Sequence, residues 1–325
     1  MNKLSLAPMM DRTDRHFRYF LRLMSPDLLL YTEMVVAQAA VYGDRARLLG
    51  FAAVEAPVVL QLGGSDPELL GDAAVLGAER GYAAINLNIG CPSDRVQSGQ
   101  FGACLMAEPE RVAACVRRIR SRVDIPVTVK TRIGIDDRDD YPFLREFVEA
   151  CAEAGCRTFV VHARKAILAG LSPAENRSIP PLNYERVQRL KADFSHLEII
   201  VNGGIVTTAG VLEHLRHVDG VMIGRQAYKT PYWLTELQAA VFPERSWQAP
   251  SRRQVVEQMA HYADSALASG ARMHHITRHM LGLFAGRPGA RAWRRYVTEA
   301  AGARDATPAL LLDSLERLEA SETTA

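Results

Sequence analysis

Lysine is nearly missing from this chain. Only Lys3, Lys130, Lys165, Lys191 and Lys229 occur in 325 residues, so most of the 39 basic residues are arginine. Arginine's planar fork suits bidentate phosphate contacts, although a GC-rich coding sequence gives the same bias. The five cysteines are odd in number and form no CxxC pair. That argues against a disulfide framework or a metal site and for a reducing compartment. No run of about 18 uncharged apolar residues occurs, so no membrane-spanning helix is expected. The opening MNKLSLAPMMDRTDRHFR lacks the apolar region of a secretory signal, and a cytoplasmic location is expected. A formal net charge of +2 points to no partner by itself.

What is present is a core-forming composition, 48% hydrophobic and 23% charged. Short apolar, β-branched runs recur at Leu4–Ala7, Leu28–Tyr31, Val58–Leu62, Ala84–Asn88, Val127–Thr131, Thr158–His162, Glu198–Val201 and Gly220–Ile223. Helical spacing fills the gaps: Thr13–Leu23, Met34–Leu49, Pro67–Arg80, Pro109–Arg122, Tyr141–Ala154, Asn183–Lys191, Thr207–Arg216 and Ala227–Val241. Eight strand–helix units make the α/β pattern of a (β/α)8 TIM barrel. A doubly wound sheet is the competitor, but no GxGxxG follows the first strand. The proline-flanked FPERSWQAP reads as a linker, and beyond it only helical patterns appear, at Ser251–Ser269, Met273–Phe284, Ala290–Ala301 and Pro308–Ala320. The expected organisation is a barrel over 1–243 and an all-α helical bundle over 244–325.

The tail hides a charge asymmetry. Between Arg245 and Arg304 ten arginines face only three acidic residues, Glu257, Asp264 and Glu299. That is a candidate polyanion-binding face, against the plainer reading of a solvated surface balanced by the acidic end of the chain.

Barrel enzymes carry their chemistry at the C-terminal ends of the strands. Here those ends read Ala7-Pro8-Met9-Met10, Gln61, Asn88 into Gly90-Cys91-Pro92, Lys130, His162, Asn202-Gly203-Gly204 and Gly224-Arg225. Polar groups at strand after strand are hard to ascribe to core packing. Glycines after the last two strands let backbone N–H groups approach an anion, and Arg225 adds a guanidinium, which predicts a phosphate site at Gly203, Gly204, Gly224 and Arg225. Lys130 can steady negative charge on a redox ring or form a Schiff base. Cys91 can be a nucleophile or a proton donor. The segment 90–106 has the length and glycine content of a lid, and 164–182, with Lys165 and Arg177, reads as a stiff basic projection beside the mouth.

Together the segments APMMDRTDRHFR, INLNIGCPSDRVQSGQFGACLM, VTVKTRIG, VVHARKAILAGLSPAENRSIPPLNY, VNGGI, GVMIGRQAY and HMLGLFAGRPGARAWRR closely resemble the tRNA-dihydrouridine synthase family. The GLSPAENRSIPPL insert resembles its A-type bacterial branch, which modifies positions 20 and 20a of the tRNA D-loop. The resemblance implies a flavoprotein with bound FMN and NADPH as electron donor. It implies that the flavin ring lies along Pro8, Met9 and Met10, and that Gln61, Lys130 and His162 contact its edge or side chain. Asn202, Gly203, Gly204, Gly224 and Arg225 would hold its phosphate. Asn88 would lie beside the target uracil, Cys91 would be the general acid, and Lys165 and Arg177 would touch tRNA. A cytoplasmic monomer is expected. Two rivals remain: an FMN barrel reducing a free pyrimidine or an enoate, which has no use for the basic tail, and an RNA-binding protein that has lost catalysis.

Overall fold

The structure is a computed structural model that describes residues 3–323. Its nine strands are β1 (Leu4–Leu6), β2 (Leu30–Tyr31), β3 (Val35–Val36), β4 (Val58–Gly63), β5 (Ala84–Ile89), β6 (Val127–Arg132), β7 (Thr158–His162), β8 (Glu198–Asn202) and β9 (Gly220–Ile223). They pair in the order β1-β9-β8-β7-β6-β5-β4-β2, all in parallel. The ring closes where Leu6 N donates to Leu29 O at 2.9 Å and Leu29 N to Leu4 O at 3.1 Å. This is a (β/α)8 TIM barrel, and each of its eight strands lies on a run expected from the sequence. The short β3 was not expected; it pairs with the end of β4 through Val35 and Leu62.

The helices before the last strand are α1 (Arg15–Met24), α2 (Ala37–Tyr42), α3 (Arg45–Leu49), α4 (Pro67–Glu79), α5 (Asp94–Ser98), α6 (Pro109–Arg120), α7 (Tyr141–Glu153), α8 (Tyr184–Asp193) and α9 (Thr208–Leu215). Those after it are α10 (Arg225–Lys229), α11 (Trp233–Val241), α12 (Arg252–Ala268), α13 (Met273–Thr277), α14 (Ala290–Ala301) and α15 (Ala309–Thr323). Side-chain caps set many of the starts. Asp66, Asp140, Asn183, Thr207 and Ser251 each accept a hydrogen bond from the first turn of the helix they precede.

Three expected helices are shorter or broken. Met34–Leu49 is interrupted at Gly43, where the Asp44 carboxylate caps a new start by accepting from Arg47 N at 3.1 Å. Ala227–Val241 is split by Pro231, which cannot donate a backbone hydrogen bond. In Met273–Phe284 the helix stops at Thr277. Further on, Gly282 lies so close to the chain that an added Cβ would sit 2.4 Å from Lys229 O.

The chain forms two compact units. The first comprises residues 1–11 and 29–224 and contains the barrel; the second comprises 12–28 and 225–325 and is helical. The units therefore divide at Gly224/Arg225, and α1 groups with the C-terminal helices. Among the described residues no helix is long and apolar enough to cross a membrane.

Within the second unit Asp14 is a hub. Its Oδ1 accepts from His16 N and Phe17 N, both at 3.0 Å, and so caps α1. Its Oδ2 accepts from Arg278 Nη2 at 2.7 Å and from the buried His279 Nε2 at 2.9 Å. Burial alone would raise this carboxyl's pKa, but His279, the Phe17 amide and Arg278 outweigh it and hold it well below the usual range. Elsewhere in this unit Trp293 Nε1 donates to the buried Ser314 Oγ at 2.9 Å, fastening α14 to α15.

Asp14→Ala removes both a cap and the partner of a buried imidazole, and should cost about 3 kcal/mol in urea unfolding at neutral pH. A depressed folded pKa makes this stabilisation complete above the ordinary carboxylate value and lost as pH falls below about 4. The gap between wild type and variant should therefore shrink on acidification.

Candidate active site

A strand points alternate side chains to opposite faces. The outward set, including Leu60, Leu62, Ile85, Leu87, Val129, Val161, Val201 and Ile223, is apolar and buried. The inward set begins with a buried apolar cluster of Ala7, Leu29, Tyr31, Val59, Ala84, Val160, Ile200 and Met222. Further along the same strands it turns polar: Gln61 two residues after Val59, Asn86 and Asn88 two and four after Ala84, His162 two after Val160, and Asn202 two after Ile200. On β6 the inward residues are Thr128, Lys130 and Arg132.

Register joins these groups into one network. Gln61, Asn86 and Thr128 are neighbours across β4, β5 and β6. Gln61 Nε2 donates to Asn86 Oδ1 at 2.8 Å, and Asn86 Nδ2 donates to Thr128 Oγ1 at 2.9 Å. Asn88 Nδ2 donates to Gln61 Oε1 at 2.9 Å, while Asn88 Oδ1 accepts from Gly90 N at 3.1 Å and Cys91 N at 3.0 Å. Thr32 Oγ1 accepts from Gln61 N at 3.0 Å. Gln61 and Asn86 are fully buried, so each bond also avoids a penalty of about 1–3 kcal/mol for an unmet polar group.

That network places Cys91. Its thiol is half-buried, 3.4 Å from Ser93 Oγ, on a turn whose amides are held by Asn88. The Cys91 carbonyl accepts from Ala103 N at 2.9 Å. Gly102 adopts φ +79°, and a Cβ there would lie 2.6 Å from Cys91 O, so glycine is needed at the closest approach. The segment 90–106, expected as a lid, folds into α5 and a 3-10 turn over Gly102–Ala107.

Lys130 lies on β6 opposite Asn88 of β5. The side chain is half-buried, and its ammonium has no hydrogen-bond acceptor among the described residues. Burial of the ammonium, with Arg132 beside it, pushes the pKa down to about 7, against a smaller opposing pull from Cys91. Such an amine is poised to meet an anionic or strongly accepting group.

The glycine turn after β8 is also well defined. Gly203 and Gly204 have φ +110° and +71°, left-handed backbone that favours glycine. A Cβ on Gly203 would sit 2.5 Å from His162 Cδ2, and one on Gly204 2.5 Å from Leu182 Cδ1. Tyr184 OH donates to Gly203 O at 2.6 Å, and Asn202 Nδ2 to Met222 O at 2.7 Å. Gly224 differs: its φ is ordinary and a Cβ would meet Ala7 Cβ at a comfortable 3.6 Å. Pro8 and Met9 are half-buried after β1, and Met10 is 57% exposed. Arg225 is exposed and opens α10 in the second unit.

The dihydrouridine synthase (Dus) family model matches residues 5–320. The chain belongs to the Dus family. It is 54% identical over 316 residues to the tRNA-dihydrouridine(20/20a) synthase of Synechocystis, covering 97% of this chain and 94% of that one. It is 57% identical over 298 residues to the enzyme of the same name from Vibrio vulnificus, covering 91% of each. Among solved structures a 2-naphthoyl-CoA reductase complex shares the fold, with TM-score 0.57 at 10% identity over 75% of this chain. The chain spans half the length of that reductase.

In this Dus chain the insert 164–182 is built inward as much as outward. Lys165, expected to reach outward, donates to Asp136 O at 2.8 Å and pairs with Asp139 Oδ2 at 3.1 Å. Arg177 is exposed on the turn Glu175–Arg177, next to a wholly buried Asn176 that ties the insert together. Arg164 Nη1 holds the carbonyls of Ser178 and Pro180. The sequence alone does not single out Asn86, Thr128 and Thr32 as network members. The signal was there in Asn86 and Asn88 at a spacing of two, but the partners depend on register. In the second unit Arg272, Arg287, Arg291, Arg294, Arg295 and Arg304 are exposed and enter no ion pair among the described residues.

Gly203→Ala forces a side chain into left-handed backbone against His162 and should cost about 1–3 kcal/mol. Gly224→Ala meets neither obstacle and should stay within about 0.5 kcal/mol of wild type. Paired urea melts of the two variants compare them directly.

Proposed function

We propose that this chain is a tRNA-dihydrouridine synthase that reduces D-loop uridines at positions 20 and 20a to 5,6-dihydrouridine. The observation that carries the reading is the placement of Cys91, held at the barrel mouth by Asn88, within electrostatic reach of Lys130. Full-length similarity to enzymes of that name supports the substrate.

The residues present fit FMN. An apolar floor of inward side chains, a half-buried ammonium with no acceptor among the described residues, and two consecutive left-handed glycines offer a bed, a counter-charge and a phosphate turn. Pro8, Met9, Met10, Gln61, Lys130 and His162 would line the ring and its side chain. Asn202, Gly203, Gly204 and Gly224 would hold the phosphate, with Arg225 next in the chain. Bound FMN, reduced by NADPH, supplies a hydride for uracil C6.

The remaining work falls to side chains. Cys91 gives the proton from Sγ to C5 of the same uracil, so that hydride and proton together saturate the double bond. Its thiol is then restored from solvent, with Ser93 Oγ at 3.4 Å as the adjacent hydroxyl. Asn88 orients the Cys91 turn and would lie beside the target uracil. The Lys130 ammonium favours negative charge at the ring edge. A folded tRNA must extrude its base at a cost of a few kcal/mol. Phosphate contacts from Arg177, Lys165 and the exposed arginines of the second unit offset that cost. Lys165 would have to act from its place beside Asp139. The enzyme is proposed to work as a cytoplasmic monomer.

Cys91→Ala should lower turnover on tRNA by about 10²–10⁴-fold, the usual worth of a general acid. Flavin reduction by NADPH, followed by bleaching of flavin absorbance, should be unchanged. Full tRNA turnover in this variant would refute the acid assignment.

A further inference from the structure

The two residues that flank Cys91 are each tied to the insert 164–182. Before it, the Gly90 carbonyl accepts from Arg132 Nε at 3.1 Å. Arg132 Nη1 also donates to the carbonyls of Lys165 at 3.1 Å and Asn176 at 2.9 Å. After it, the Pro92 carbonyl accepts from Gln97 Nε2 at 2.9 Å, and the same nitrogen donates to Leu168 O at 2.7 Å. Both Gln97 partners are carbonyl oxygens, so the amide can face only one way and uses both of its hydrogens.

The far ends of these ties are firm. Leu168 N donates to Asp136 Oδ1 at 2.8 Å. Ile167 is gripped by Asn176, accepting at its carbonyl (2.9 Å) and donating from its amide (2.7 Å). Asn176 itself is wholly buried. The near end is weak by comparison: Gln97 sits on α5, a helix of only five residues that cannot hold its shape through its own backbone bonds.

We infer that Gln97 is a positioning residue for Cys91, fastening the thiol's turn to the insert so that the insert, and not β5 alone, sets where the proton donor stands. The inference rests on the proton-donor reading of Cys91. A segment that approaches the substrate would thus be mechanically joined to the group that protonates it. Arg132 shares the task, but its removal would strand three carbonyls, so Gln97 is the position to test.

The test uses the full-length, flavin-loaded protein with Gln97→Ala and the isosteric Gln97→Glu, which lacks the donor. Both should lose about 10–100-fold in kcat on tRNA, the effect of displacing a reacting group by about 1 Å. Their flavin reduction by NADPH should match wild type, which also certifies folding. Iodoacetamide labelling mapped by mass spectrometry should show Cys91 alkylated several-fold faster and Cys104 at an unchanged rate. In a Cys91→Ala background, adding Gln97→Ala should cause no further loss, because a residue acting through the thiol has nothing left to position. An equal further loss in that background, or unchanged alkylation of Cys91, would overturn the inference. If Cys91→Ala alone kept full turnover, the acid reading would fall instead, and the alkylation rates would still decide the tether.

Discussion

Closing eight parallel strands into a ring forces every second side chain of every strand into one narrow interior. The first inward layer is apolar, as a packed barrel requires. The next inward residues have no such filling and must satisfy one another or a ligand. Gln61, Asn86, Asn88 and Thr128 satisfy one another across three strands. Lys130, on the same face, finds no acceptor among the described residues, and its pKa falls to about 7 through burial and the neighbouring Arg132. The chemistry begins where this internal bookkeeping stops.

The amide network also transmits order. Buried amides with both ends engaged have a single orientation, because turning one would set donor against donor. Asn88 passes that orientation to the backbone of Gly90 and Cys91. The thiol's placement therefore depends on Gln61, 30 residues earlier in the chain, and through it on Asn86 and Thr128. Arg132 and Gln97 hold the same turn from its other sides. A half-buried cysteine on a proline-containing loop would otherwise have little reason to keep one position.

Much of the barrel was legible because its strands are short β-branched runs punctuated by glycine and helical spacing. The breaks were less so. A helix over Met34–Leu49 satisfies periodicity, but Gly43 and the Asp44 cap divide it, and the split at Pro231 follows from one missing N–H. Strand-end polar residues could be placed at the mouth without a structure, and Gly203 and Gly204 behave there as the turn chemistry requires. Gly224 shows the limit, since nothing steric demands glycine at that site. The pairing of Gln61 with Asn86 was hidden because it depends on strand register over a separation of 25 residues. Lys165 reads as an outward cation, yet Asp136 and Asp139 claim it, and no local pattern announces that contact. The acid role proposed for Cys91 rests on family resemblance; by residue type alone it reads as a nucleophile or an acid.

The helical unit answers a different requirement. Six of its exposed arginines, Arg272, Arg287, Arg291, Arg294, Arg295 and Arg304, enter no ion pair among the described residues, and Asp14 and Trp293 fasten its helices with hydrogen bonds. Charge of that kind sets binding and register on a polyanion without reading bases. The central claim, that the barrel mouth saturates a flipped-out D-loop uracil, is tested most directly by incubating unmodified tRNA with the flavin-loaded protein and NADPH and mapping dihydrouridine by position with mass spectrometry. The account predicts dihydrouridine at 20 and 20a, dependent on NADPH. A tRNA left unmodified by a protein that still oxidises NADPH would contradict it.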